Sequence, residues 1–256
     1  MDKVQFKAYM IVLRKLNIFM FLTFLLFGIE PREHPLPLKI SVIVPCHPTH
    51  FPLLDPLFAA YERQTSRPDE IVVSLSESHL IPDADVQALE KKAWPFRVLM
   101  IQSRAKQLPG TNRNVACKAA QGDLIVCQDA DDLPHPQRIE AVRYLFEHFK
   151  VEHLLHQWLP SDGTFEPFQI QGLERECVQY RNYEQIDLPR IHNGSVCFLR
   201  SVFEQIHWRP HLTIDEDSIF NRHSYAFFPA HYVLSQPLIH YRGELSTFDL
   251  NGDKQR

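Results

Sequence analysis

The stretch Asp123-Leu-Ile-Val-Cys-Gln-Asp-Ala-Asp-Asp-Leu-Pro134 joins an apolar run to three closely spaced carboxylates. Residues 124–128 (LIVCQ) are mostly apolar, which predicts a short buried strand. Asp129, Asp131 and Asp132 follow at the carboxyl end of that strand. Carboxylates this close repel one another and resist joint ionisation unless a cation neutralises them. The stretch therefore predicts a strand that ends in a site for Mn²⁺ or Mg²⁺, which prefer oxygen ligands.

Two other interpretations of the acidic residues exist. In the first, the turn is simply solvated, and Asp132 or Asp129 caps the helix expected to follow. In the second, the residues belong to an EF-hand, because counting from Asp129 places Glu140 at the twelfth position. That loop needs glycine where Pro134 stands and an oxygen ligand where Leu133 stands, so the EF-hand is excluded.

Three further apolar runs precede this stretch, with helical patterns between them. Each run is bounded by turn residues, as expected for buried strands. Alternating strands and helices predict an α/β fold with a mostly parallel central sheet flanked by helices, and ligands bind such sheets beyond the carboxyl ends of the strands. Thr111 or Asn112 is the expected cap of the second helix. The predicted strands are residues 39–46, 70–75, 96–101 and 124–128, and the predicted helices are residues 53–64 and 111–120.

Composition narrows the class of protein. The chain has 256 residues, 45% of them apolar and 23% charged, which suits one globular domain with an appendage. Its net charge of -4 argues against a nucleic-acid partner, which requires clustered Lys and Arg. The five cysteines are odd in number and lack C-x-x-C spacing, so we expect buried thiols rather than a zinc site or a disulfide framework.

The first residues differ from the rest. Residues 16–29 (LNIFMFLTFLLFGI) are apolar and follow four basic residues, which predicts membrane association. A helix of this run would be about 21 Å long, shorter than the roughly 30 Å hydrocarbon core. The chain thus divides into a hydrophobic segment (1–29), a Pro-rich linker (30–38) and the main domain (39–256).

Several interpretations of residues 16–29 stay open. They are a signal peptide, a short signal anchor, a helix lying in the membrane interface, or a helix packed on the domain. An anchor with its basic end inside would place the domain on the far side of the membrane, whereas unpaired cysteines suit a reducing compartment such as the cytoplasm. The side of the membrane is therefore not predicted.

Four motifs, taken in order and spacing, resemble family 2 glycosyltransferases of the GT-A fold. They are residues 39–46 (KISVIVPC), 68–73 (PDEIVV), 110–116 (GTNRNVA) and 128–132 (QDADD). The resemblance covers roughly residues 39–242. It implies a catalytic domain that transfers a sugar from a nucleoside diphosphate sugar to a hydroxyl of a glycan, lipid or protein acceptor, with inversion and with Mn²⁺ or Mg²⁺.

The resemblance also implies roles for individual residues. Asp131 would be the metal ligand, Asp129 would meet the ribose or the metal, and Asp132 would support them. The site-facing pair at the start of the predicted helix, Arg113 and Asn114, would lie near the nucleotide and diphosphate. The residues that would line the base pocket are Pro45, Cys46 and His47.

One turn departs from the family pattern. After the second strand the family usually has paired acidic residues and a Gly-Ser turn, whereas this chain has Ser74-Leu-Ser-Glu-Ser78. We expect Glu77 or Ser76 to contact the nucleotide base in place of the missing acidic pair. The lost acidic pair also suggests an alternative, a non-catalytic member that binds a sugar nucleotide without turnover.

The second half contains another acidic cluster. Residues 192–200 (HNGSVCFLR) resemble the family's turn and strand before a short helix, and residues 213–220 (TIDEDSIF) resemble its acceptor-site motif. Inverting transfer needs a general base for the acceptor hydroxyl, and Asp217 is the predicted base, with Glu216 and Asp215 as alternatives. All three could instead form the negative first turn of a helix.

Two histidines near the end of the chain are candidate metal ligands. His240, in the closing strand 238–242, could be a third metal ligand, with His231 as a weaker competitor, although a lone histidine on an apolar strand is often a core residue.

The rival enzyme class is a nucleotidyltransferase. Such an enzyme would carry a Gly-rich phosphate loop near the first strand, and residues 42–50 contain no glycine. The sequence therefore disfavours that class.

Overall fold

A computed structural model describes residues 29–180, 193–213 and 215–245. Most of the expected membrane segment, residues 16–28, lies outside these ranges, as do His192 and Ile214 of the second-half motifs. Within the described ranges, the helices lack the combination of length and apolar character that a membrane crossing requires.

The first half is a parallel α/β unit. Its four strands are ordered β3-β2-β1-β4 and all neighbours run parallel. The sequence predicted each strand to within a residue or two, and its prediction for β2 matches both ends. The elements are β1 (Ile40–Cys46), α1 (Leu54–Glu62), β2 (Glu70–Leu75), α2 (Asp83–Lys91), β3 (Arg97–Gln102), α3 (Pro109–Ala119) and β4 (Leu124–Cys127).

The second half extends the same sheet with mixed strand directions. Strand β8 pairs antiparallel with β4, and the order continues through β6 and β9 to β5, while β7 also pairs antiparallel with β9. The elements are β5 (Leu133–Pro134), α4 (Arg138–His148), β6 (His153–Pro160), β7 (Cys177–Gln179), β8 (Val196–Leu199), α5 (Arg200–Gln205), α6 (Glu216–Phe227) and β9 (His231–Tyr241).

The core lies on both faces of the sheet, which explains the continuous apolar runs of the central strands. In β1, Val42 and Val44 belong to one buried cluster and Ile43 belongs to the other, as the alternation of side chains along a strand requires. All five cysteines are buried free thiols, as predicted.

Helix α3 begins earlier than predicted. Pro109 occupies its first turn after Leu108, so the expectation that Thr111 or Asn112 caps this helix is wrong. Proline has its φ fixed near the helical value and lacks the N–H that a first-turn residue leaves unpaired. The hydroxyl of Thr111 instead donates to the carbonyl of Pro210, and Asn112 accepts from Ser74.

The Pro-rich segment 30–38 is bound to the domain. The backbone N–H of Arg32 donates to the carbonyl of His148 at 2.7 Å, and that of Leu38 donates to the carboxylate of Glu147 at 3.0 Å. The segment therefore follows the end of α4 and enters β1 at its amino end, the end of the sheet opposite the acidic residues.

Candidate functional site

The acidic loop, residues 129–132, lies at the carboxyl end of β4. The backbone N–H of Asp132 donates to the carbonyl of Asp129 at 3.2 Å, which closes the loop into a turn. The carboxylate of Asp132 is buried and accepts the backbone N–H of Arg242 at 2.9 Å, just beyond β9. Asp132 thus joins the loop to the last strand, in keeping with a supporting position.

Asp131 has the electrostatics of a cation ligand. Its side chain is 14% exposed, and burial together with the nearby charge of Asp129 raises its pKa. The Nε2 atom of His50 lies 4.0 Å from its Oδ2 atom. A divalent cation would relieve the repulsion between the two carboxylates, so their chemistry fits Mn²⁺ or Mg²⁺.

The described ranges contain no group of three His, Cys, Asp or Glu side chains placed to hold a metal ion. Mg²⁺ in nucleotide sites commonly uses one or two carboxylates, with substrate phosphates and water completing its coordination. Asp129 and Asp131 are therefore the residues that would hold the cation, together with a diphosphate.

Arg113 connects the two acidic clusters. Its guanidinium donates to Oδ1 of Asp129 at 2.6 Å and to Oε1 of Glu216 at 3.1 Å, and its side chain is only 4% exposed. Burial opposes the charge on Arg113, but the two carboxylates outweigh burial and its pKa is raised. The predicted metal loop and the predicted acceptor motif consequently face one site.

The acidic residues of the second cluster differ in environment. Glu216 is buried, and burial and the neighbouring Asp217 raise its pKa against the opposing effect of Arg113. Asp217 is half-buried and accepts the N–H of Ser218 at 2.7 Å, at the start of α6. Asp215 is exposed and has a φ of 62°, a left-handed conformation that is uncommon for a residue with a side chain. Because Asp217 is both accessible and close to Glu216, it remains the predicted base.

The amide of Asn114 makes a structural contact. Its Nδ2 donates to the carbonyl of Trp208 at 2.7 Å, and its Oδ1 accepts the Trp208 N–H at 3.0 Å. Asn114 thereby holds the segment before α6 against α3, and a contact with the nucleotide stays a prediction.

The residues predicted to line the nucleotide-base pocket lie where β1 and β2 end. The backbone N–H of Ser76 donates to the carbonyl of Cys46 at 3.0 Å, which joins the two strand ends. His47 and Glu77 face each other, with 3.5 Å between Nε2 and Oε2, and burial lowers the pKa of His47. Glu77 has a φ of 47°, in the left-handed region. The hydroxyl of Ser76 accepts the N–H of Gln107 at 2.8 Å and is therefore already engaged. Of Ser76 and Glu77, Glu77 is thus the better candidate for the predicted contact with the nucleotide base.

Pro45 and Cys46 lie at the end of β1, where the base pocket is predicted. Pro45 is half-buried and pairs in register with Ser74 of β2. Burial, followed by the charge of Asp131, raises the pKa of the Cys46 thiol. The thiol therefore stays protonated beside the acidic loop.

The two histidines occupy aromatic surroundings. The ring of His240 stacks on Phe165 with centroids 3.6 Å apart, and burial lowers its pKa. His231 stacks on Tyr225 at 4.0 Å and lies 5.0 Å from His153, within the core. His240 does pair with Leu133, next to the acidic loop, but its role as a metal ligand stays a prediction.

Several residues at the site escaped the sequence reasoning. Arg242 donates through Nε to the carbonyl of Asp131. His50 contacts the carbonyl of Leu245 at 2.9 Å, so the segment after β9 borders the loop. Gln128 and Arg138 lie beneath the loop. Their position at a strand end could have drawn attention to Arg242 and Gln128. The local sequence around His50 and Arg138 contains no pattern that indicates a site.

A model of glycosyl transferase family 2 matches residues 41–206, more than half of the chain. The chain belongs to this family. The match includes the β1 strand, Arg113 and the acidic loop, as the resemblance of the motifs predicted. The comparison with curated proteins gives no match.

The fold of this family 2 chain is also similar to that of several solved structures. S. aureus TarS has a TM-score of 0.64 and 22% identity, covering 80% of this chain and 36% of TarS. TarS 1-349 in complex with UDP-GlcNAc has a TM-score of 0.64 and 21% identity, covering 80% of this chain and 58% of that one.

The mannosyltransferase PcManGT from Pyrobaculum calidifontis, in complex with GDP-Man and Mn²⁺, has a TM-score of 0.56 and 18% identity, covering 91% of this chain and 65% of that one. These likenesses establish the GT-A fold that the motifs predicted. The family 2 chain spans less than two thirds of the length of each of these proteins.

Proposed function

We propose that this chain transfers a sugar from a nucleoside diphosphate sugar to an acceptor hydroxyl, with inversion and with Mn²⁺ or Mg²⁺. The observation that carries the proposal is the pairing of Arg113 with both Asp129 and Glu216. It brings Asp129 of the acidic loop and Glu216 at the start of α6 to one site, which supports a role for the loop in binding the cation and for α6 in supplying the base. Membership of glycosyl transferase family 2 supports the same activity.

The donor would lie across the carboxyl ends of β1, β2 and β4. His47 and Glu77 would meet the base, while Asp129 and Asp131 would hold the cation. A bound cation would neutralise charge on the diphosphate leaving group. The solved neighbours hold UDP-GlcNAc or GDP-Man, which supports a nucleoside diphosphate sugar as the class of donor.

Transfer then requires removal of one proton. The acceptor oxygen attacks the anomeric carbon, and the bond from that carbon to the diphosphate oxygen breaks with its electron pair. The acceptor proton passes to a carboxylate oxygen of Asp217, the accessible member of the second cluster. Glu216 stays paired with Arg113 and holds the start of α6 in place.

A donor screen tests this function. Nucleotide sugars are incubated with the protein and Mn²⁺, and thermal stabilisation and nucleotide release are measured for the native chain and for Asp131→Asn. We expect release from one donor, lost in Asp131→Asn and retained in Asp123→Asn, which changes an exposed aspartate at the amino end of β4, the end of the sheet opposite the acidic loop.

The outcomes separate the alternatives. A donor that stabilises the protein but is never turned over, even with acceptor mixtures, would favour the non-catalytic interpretation. Exchange of label between a nucleoside triphosphate and pyrophosphate would favour a nucleotidyltransferase. Absence of binding and release for every donor, with identical behaviour of the variant, would refute the proposed function.

We further propose that residues 16–29 associate with a membrane. The supporting observation is the apolar run after four basic residues, and segment 30–38, which follows that run, enters the domain at the amino end of β1, opposite the acidic loop. Flotation with anionic vesicles tests this: Leu25→Asp together with Leu26→Asp should abolish co-flotation. Equal co-flotation of the native chain and the double variant would refute it.

A further inference from the structure

Gln128 lies directly beneath the acidic loop. Its side chain is fully buried, and its Nε2 atom donates to the carbonyls of Asp129 at 2.8 Å and Asp132 at 3.2 Å. These carbonyls belong to the first and last residues of the loop. One amide group therefore fixes the peptide planes at both ends of the loop that carries Asp131.

The other end of the amide is held equally firmly. Its Oε1 atom accepts from Nη1 of Arg138 at 2.6 Å and from the hydroxyl of Tyr61 at 2.9 Å. A primary amide offers two donors and two acceptor sites, so Gln128 uses its full capacity. Carbonyl oxygens can only accept and a guanidinium can only donate, so the orientation of this amide is determined by its partners.

Arg138 extends the network to the second half of the domain. It is fully buried, and its Nη2 atom donates to the carbonyls of Cys127 at 2.8 Å and Gly194 at 2.6 Å. Gly194 belongs to the turn Asn193–Ser195, which leads into β8. Among the described residues, the oxygens that accept from its two Nη atoms belong to neutral groups. A buried charge of this kind needs several well-placed acceptors, which ties the strand end and the turn to one position.

We propose that Gln128, braced by Arg138, is a positioning residue that sets the acidic loop for binding of the cation and the donor diphosphate. This inference rests on the proposed function. Gln128 acts through the backbone of the loop and contacts neither ligand. Supporting groups of this type determine whether a binding constellation is held in its productive geometry.

The substitution Gln128→Glu separates the two ends of the amide. The carboxylate keeps an acceptor for Arg138 and Tyr61 and gains an ion pair, so the fold is retained. Its second oxygen replaces Nε2 and faces the carbonyls of Asp129 and Asp132, where it repels them. The substitution therefore removes the clamp on the loop and preserves the size and burial of the side chain.

Calorimetric titration with UDP and with GDP, each in the presence of MnCl₂, tests the proposal. We expect Gln128→Glu to bind the diphosphate at least about tenfold more weakly than the native chain, because two buried hydrogen bonds are lost. The loss should be confined to the Mn²⁺-dependent part of the affinity. Tyr61→Phe is the matched control, since it removes a partner of Gln128 without touching the loop, and it should bind like the native chain.

Each outcome decides the proposal. Native-like, Mn²⁺-dependent affinity of Gln128→Glu would overturn it, as would an equal loss in Tyr61→Phe. If the native chain binds neither UDP nor GDP, and none of the donors in the screen described above, the proposed function fails, and hydrogen exchange of residues 129–133 then tests the positioning role alone. Faster exchange in Gln128→Glu, with an unchanged thermal midpoint, would support that role, and unchanged exchange would overturn it.

Discussion

Replacing Arg113 with methionine removes a side chain that pairs with both acidic clusters. Methionine is close in length and fills the apolar part of the space, so the main change is the loss of a buried positive charge. Asp129 and Glu216 would then stay at the same site without the guanidinium between them. Their side chains are 22% and 9% exposed. Removing one partner from a buried ion pair is strongly destabilising because the remaining charge stays buried.

The size of the stability loss in Arg113→Met follows from the burial of the ion pairs. Loss of one partner of a buried pair costs about 3 to 5 kcal/mol, and the partial exposure of Asp129 favours the lower end, about 3 kcal/mol. For a domain of this size that corresponds to a fall in Tm of roughly 6 to 12 °C. The surface pair of Lys92 with Asp55 provides the control, because its side chains are 51% and 56% exposed, and Lys92→Met should cost less than about 1 kcal/mol.

The loss of unfolding free energy in Arg113→Met should depend on pH. Burial already raises the pKa of Glu216, and loss of Arg113 raises it further. The folded variant then binds a proton that the unfolded chain does not bind above its own carboxyl pKa, so the variant loses stability as pH rises through that interval. The deficit relative to the native chain is therefore largest near pH 7.5 and smaller near pH 5.

Urea unfolding followed by circular dichroism at both pH values measures this deficit. The double variant Arg113→Met with Glu216→Gln should recover part of the loss, since the buried carboxylate that loses the guanidinium is then replaced by a neutral amide. A loss below about 1 kcal/mol at pH 7.5, or simple addition of the two single effects, would refute the idea that Arg113 neutralises buried carboxylates.

Three further predictions concern other parts of the chain. Burial lowers the pKa of His231 to about 4 and that of His153 well below its usual value, so stability should fall as pH drops from about 6.5 towards 4, and His231→Phe should flatten this slope in urea titrations. A Cβ on Gly122 would lie 2.5 Å from the hydroxyl of Ser41, so Gly122→Ala should cost about 1 to 3 kcal/mol in denaturant unfolding. Asp217→Asn should lower kcat for transfer by about 100-fold or more while leaving Mn²⁺-dependent nucleotide affinity unchanged, as steady-state kinetics and calorimetry can check.

Local patterns in the sequence determined the strands and the position of the acidic loop. The apolar run 124–128 predicted β4, and the run 70–75 matches β2 at both ends, because a strand buried on both faces is a nearly continuous apolar run. The rule that ligands bind beyond the carboxyl ends of parallel strands then directed attention to Cys46, Glu77 and Asp129. These features depend on neighbours in the chain, so the sequence alone can express them.

The tertiary structure decided which side chains meet. Arg113 pairs with Asp129, 16 residues away, and with Glu216, 103 residues away, and Gln128 is oriented by Arg138 and Tyr61 from two different helices. No periodicity encodes such pairs, because they depend on how helices pack on the sheet and on how strongly burial penalises an unpaired charge. The sequence by itself therefore determined the chemistry that the site contains, and only the packing of the two halves determined which charges neutralise one another.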